Sequence, residues 1–172
     1  MGDFTNPLWA AAEALLVLAK DCLGESCEAY PRVLIETQSP VADCATLAVV
    51  IGNARAYSGS CVGKLQLSAT LDIVLIRCCD PVGDLTTSGG YTPPSVEAIQ
   101  QAAACVARDA WAIYQCVVCT ACDLIGAVKN VTACCDDKTG APEIVWGSSM
   151  GGCRSATIRV PLIVTTCCTP EI

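Results

Sequence analysis

The run KLQLSATLDIVLIR, residues 64–77, alternates apolar and polar side chains for most of its length. Leu65, Leu67, Ala69, Leu71, Ile73 and Leu75 fall on one side, with Gln66, Ser68, Thr70 and Asp72 on the other. A period of two belongs to a strand, not a helix, and gives it one inward face and one face toward water or a partner. The terminal segment GGCRSATIRVPLIVTTCC repeats the pattern: Ala156, Ile158, Val160, Leu162 and Val164 alternate with Ser155, Thr157 and Arg159. Pro161 cannot donate to a ladder and points to an edge or bulge position there.

The remaining elements follow from local signals. Asn6 is placed to cap a first helix, Pro7 suits its first position and Gly24 its end. Leu8, Trp9, Ala12, Leu15, Leu16, Ala19 and Leu23 recur along it at three- and four-residue spacing. RVLIET (32–37) and ATLAVVIG (45–52) read as strands, the second forming an antiparallel hairpin with 64–77. Residues 53–60 have the composition of a loop, and 78–94 is a long aperiodic segment dense in Gly, Pro, Ser and Thr. Ser95 caps a second helix with Glu97 in its first turn, and Ile99, Ala103, Val106, Ala110, Ile113 and Val117 make its apolar stripe. Short strands are expected near 128–133 and 143–146, around a turn at 136–141. The order is helix, three strands, long loop, long helix, two or three strands. That is an α+β fold, an antiparallel or mixed sheet with two main helices packed on it, in a single domain over 1–172.

Composition narrows the chemistry. Of 172 residues, 53% are hydrophobic and 16% charged, enough for a real core and against intrinsic disorder. The net charge of -7 argues against a surface that grips phosphate backbones. The chain contains no histidine, which removes imidazole bases, Ser-His and Cys-His pairs, and His-ligated metals. The longest uncharged stretch, 110–122, is shorter than the ~20 residues of a membrane span, and the N-terminus lacks signal-peptide character. A chain that is neither exported nor membrane-bound is expected.

Fifteen cysteines, an odd number, leave at least one thiol outside any intrachain pair. Cys116, Cys119 and Cys122 form a C-x-x-C-x-x-C run, but the fourth iron–sulfur position is Gly126 and the run lies in a helical stretch. Thiols buried in the helix, or disulfide partners, suit it better than a metal, so no metal and no cofactor are expected. Gly59 to Gly63, GSCVG, resembles a nucleophile elbow around Cys61, yet a strand follows where a helix is needed. Arg32, Arg55, Arg77 and Arg108 are scattered and read as solvated. No catalytic site is offered, so function is expected in a surface.

The strand LQLSATLDIVLIRC with its cysteines, the helix start PPSVEAIQQAA and the terminal GGCRSATIRVPLIV together resemble tail terminators of long-tailed bacteriophages. The cysteine-rich versions in phages of actinobacteria are the nearest in texture, and the resemblance spans 6–166. It implies a small structural domain, without catalysis, that closes as a homo-hexameric ring on the head-proximal end of the tail tube. The ring stops tube growth and docks onto the head–tail connector (stopper) protein, while genomic DNA passes through its lumen without specific binding. Its place is the virion neck after assembly in the host cytoplasm, with no membrane partner. The 78–94 loop, with Asp84 and Tyr91, is then the candidate subunit interface. Another connector or tail tube component, or a cysteine-based metal or redox protein, are the alternatives. Cys78 or Cys79, Cys134 or Cys135, and Cys167 or Cys168 are the candidate disulfide or buried-thiol positions, each doublet offering one bridge to a distant element or another subunit.

Overall fold

The computed structural model describes residues 6–23, 29–38, 40, 45–58, 65–78, 94–128, 130–133, 140–147 and 153–166. The elements run α1 (Pro7–Leu23), β1 (Arg32–Glu36), β2 (Thr46–Ile51), β3 (Arg55–Ser58), β4 (Leu65–Cys78), α2 (Val96–Gly126), β5 (Val131–Ala133), β6 (Glu143–Trp146) and β7 (Cys153–Thr166). The fold is α+β: one mixed sheet in the order β1-β2-β4-β7-β5, with β3 also on β4 and β6 also on β7. Among the described residues only β1 and β2 pair in parallel; the other pairings are antiparallel.

The two alternating segments are the centre of this sheet. β4 and β7 pair without a register shift from Leu65↔Thr166 to Cys78↔Cys153. β2 lies antiparallel on the other edge of β4, as the sequence indicates. Residues 53–60 were expected as a loop, but Arg55–Ser58 form β3, which continues along β4 beyond β2 with a bulge between Ala56 and Ser58. Gly52 makes the joint between them. Its N–H donates to the Thr70 carbonyl at 2.9 Å, and a Cβ there would run into the Thr70 side chain. Among the described residues four strands therefore precede the long helix, where three were expected.

β7 has a matching arrangement on its outer side, where β6 covers residues 156–159 and β5 covers 162–164. Thr165 donates to the Asn130 carbonyl and Ser155 accepts from Gly147, so odd-numbered residues of β7 turn their backbone groups outward. Pro161 is odd-numbered and falls in the gap between β6 and β5. Its missing N–H therefore removes no bond from the β4 ladder. The position is an interruption of the outer edge, with no bulge against β4.

Both helices lie on one face of the sheet. The Asn6 side chain accepts from the Leu8 N–H at 3.0 Å and Ser95 from the Ala98 N–H at 3.1 Å, so both predicted caps are in place. α1 buries Ala11, Ala12, Leu15 and Ala19, and α2 buries Val106, Ala110, Ile113, Val117 and Ile125. They close over Leu47 and Val49 of β2, Leu71, Ile73 and Leu75 of β4, and Ile158, Val160 and Leu162 of β7. Trp9 departs from the expected apolar side. It is exposed, and its indole N–H donates to Glu13 at 2.9 Å. On the opposite sheet face Val50, Val74 and Ile76 form a smaller apolar cluster beside Cys78 and Cys153.

α2 runs nine residues beyond Val117, the last residue of its predicted stripe. By length and composition alone, Val96–Thr120 suffices to cross a bilayer, although Arg108 and Asp109 stand in its middle. The buried stripe on the sheet accounts for its apolarity in the same way as for any core helix.

Two substitutions test this arrangement. Ile158→Ala, at a fully buried position of β7 in the main core, is expected to cost about 2–5 kcal/mol in chemical denaturation. Pro161→Ala should stay within about 1 kcal/mol, because only the entropy of the unfolded chain changes there.

Candidate functional site

The most specific polar constellation lies inside the core, at the end of β4. Arg77 occupies an inward position of the β4 alternation and is 5% exposed; Asp109 on α2 is 2% exposed, and Tyr30, just before β1, 9%. Arg77 Nη2 donates to Asp109 Oδ2 at 3.0 Å, and the Tyr30 hydroxyl donates to the same oxygen at 2.8 Å. The Arg77 guanidinium also sits over the Tyr30 ring, 3.9 Å from its centroid. The exposed Arg108 approaches Asp109 Oδ1 at 4.0 Å. Burial first, and then the negative charge of Asp109, hold the Tyr30 phenol above its ordinary range.

This cluster joins three elements. A buried charge pair recovers its desolvation cost only with good geometry and further hydrogen bonds, and Tyr30 supplies one. It also answers a local repulsion. Arg77 stands directly opposite Arg154 across the β4–β7 ladder, and like charges at such positions oppose pairing. Asp109 takes up the charge of Arg77, while Arg154 Nη1 donates to the Cys153 carbonyl at 3.1 Å. The expectation that Arg77 is solvated is therefore corrected. Its inward place in the alternation was the available signal, and the charge masked it.

On the opposite sheet face Arg159 bridges two strands, reaching Asp72 at 3.2 Å and Glu143 at 3.0 Å. These side chains are partly exposed, so the bridge contributes little to stability.

Two disulfides have both partners among the described residues. Cys78 bonds Cys153, its direct partner across β4 and β7, and Cys22 bonds Cys116, joining α1 to α2. Cys105 is also disulfide-bonded, whereas Cys119 is a free, exposed thiol. Cys78 was a sequence candidate; its partner Cys153 and the Cys22–Cys116 bond were not singled out. The C-x-x-C-x-x-C run lies on α2 as expected, with Cys116 committed to Cys22. Among the described residues no three His, Cys, Asp or Glu side chains group to hold a metal. Cys79, Cys134, Cys135, Cys167 and Cys168, and the loop residues Asp84 and Tyr91, lie outside the described residues.

Several large apolar side chains remain at the surface. Trp111 is 55% exposed and stacks on Tyr114 with centroids 5.9 Å apart; Tyr114 in turn reaches the Pro142 carbonyl beside β6. Trp146 and Val145 on β6 are 57% and 38% exposed, and Val33 on β1 is 39% exposed. β1 and β6 lie toward opposite edges of the sheet. No protein-family model matches the chain, and no curated protein does so either.

Asp109→Ala leaves the Arg77 charge buried without this carboxylate and is expected to cost about 3–5 kcal/mol in denaturant unfolding. Tyr30→Phe should cost about 1–2 kcal/mol. Because the folded-state pKa of Tyr30 is raised, its contribution is complete below the unfolded value near 10 and declines as pH rises above it. Unfolding free energy measured from pH 8 to 11 should fall less steeply in Tyr30→Phe than in the native protein.

Proposed function

We propose that the chain is a structural virion subunit of the tail-terminator kind. In this reading it closes as a hexameric ring on the head-proximal end of a phage tail tube, ends tube growth and presents a docking face to the head–tail connector. The observation that carries the reading is the exposure of apolar side chains at both sides of one sheet, Val33 on β1 and Val145 with Trp146 on β6. Strand edges that display apolar residues invite pairing with other chains, and proteins not meant to assemble blunt them. The two sides differ in sequence, as the two halves of a head-to-tail contact do. Closed head-to-tail rings need such a pair of unlike surfaces.

The polar chemistry supports the same reading. Tyr30, Arg77 and Asp109 are spent on joining elements inside the core. The net charge of -7 per copy suits a lumen along which DNA slides without adhering. Catalysis has no part in this function.

A three-dimensional reconstruction of the virion neck tests it. Six copies around the tail axis, between tube and connector, are expected; any other symmetry, or absence of the protein from the neck, contradicts the reading. Trp146→Glu should block ring formation on the tube while changing the stability of the isolated chain by no more than about 0.5 kcal/mol.

A further inference from the structure

The free thiol of Cys119 stands one helical turn after Cys116, whose sulfur is bonded to Cys22 of α1. Helical side chains lean toward the N-terminus, so the Cys119 thiol lies over the turn that carries Cys116. Cβ atoms three residues apart on a helix are about 5–6 Å apart, and a disulfide needs about 3.5–4.5 Å. One turn must therefore tighten by an ångström or two, on the order of the gap between those ranges. The helix carries a device for local bending at this place. The Thr120 hydroxyl donates to the Cys116 carbonyl at 2.6 Å, a back-bond to the preceding turn that often bends helices.

We propose that Cys119 is a resolving thiol for the Cys22–Cys116 disulfide, and that the pair of bonds it permits makes a switch in the attachment of α1. Cys119 loses its proton to solvent, and the thiolate attacks Cys116 Sγ. The Cys116–Cys119 bond forms, the Cys22–Cys116 bond breaks, and Cys22 leaves as a thiolate that takes up a proton. The exchange consumes neither oxidant nor reductant. In one isomer α1 is tied covalently to α2; in the other it is held by packing alone. Of the four side chains α1 buries fully, three are alanines, with Leu8, Leu16, Leu18 and Leu23 packed beside them only partly buried. This inference is independent of the proposed assembly.

Alkylation with dilute iodoacetamide at pH 8, on the native full-length protein without reductant, tests it when followed by peptide mass mapping. The reagent traps whichever thiol is free. The expected result is two products, one labelled at Cys119 with Cys22–Cys116 intact, the other labelled at Cys22 with Cys116 linked to Cys119. Cys119→Ser should abolish the label at Cys22. Labelling of Cys119 with none at Cys22 above the Cys119→Ser background overturns the proposal, as does a purified protein in which Cys22 and Cys116 are both thiols. In Cys22→Ser, Cys116 and Cys119 should join in air; two persistently free thiols there count against the exchange.

Discussion

Fourteen consecutive residue pairs join β4 to β7, and every other element is placed by reference to this ladder. Each strand lends its outer side to two short segments laid end to end, β2 and β3 on β4, β6 and β5 on β7. The interruptions come at Gly52, where a side chain would collide with Thr70, and at Pro161, where no N–H exists to be paired. Because the inner alternation of both strands is in phase, one sheet face becomes continuously apolar and can be covered by two helices at once. A slip of one residue in this pairing would expose Leu71, Ile73 and Leu75 and bury Asp72 and Thr70.

At one end of the ladder the apolar rule is broken on purpose. Arg77 follows Leu75 into the core, one residue before the Cys78–Cys153 bond. Its charge is tolerable there because Asp109 and Tyr30 arrive from two other elements. The cluster adds direction to a core that is otherwise interchangeable aliphatic packing, since only one placement of α2 brings Asp109 to Arg77. The Cys22–Cys116 bond fixes α1 to the same helix farther along. α2 is therefore located by an ion pair near its middle and a disulfide beyond it.

Much of this was legible in the sequence where one physical signal acted alone. The alternation of β4 and β7, the caps at Asn6 and Ser95, and the stripe from Ile99 to Val117 each depend on residues close in the chain. β3 was not legible, because RAYS is short and follows Gly52-Asn53-Ala54, and only the length of β4 makes a partner there possible. Arg77 was read as solvated because its partners lie in segments whose approach depends on the fold. The Cys153 partnership arises from register between strands separated by the whole of α2, which local spacing cannot reveal. Trp9 was assigned to the wrong side for a simpler reason: it flanks the stripe of Leu8, Ala12, Leu15 and Ala19 that packs on the core, and its indole finds Glu13 instead.

If the β4–β7 ladder is the element on which the rest depends, its amides must be the last to open. Native-state hydrogen exchange on the disulfide-intact protein measures this directly. The slowest amides are expected at Leu71, Ile73 and Leu75 of β4 and at Ile158, Val160 and Leu162 of β7, opening only with global unfolding. Those of β1, β6 and α1 should exchange through smaller openings. Protection in α1 or β1 that equals or exceeds that of β4 and β7 would contradict the account.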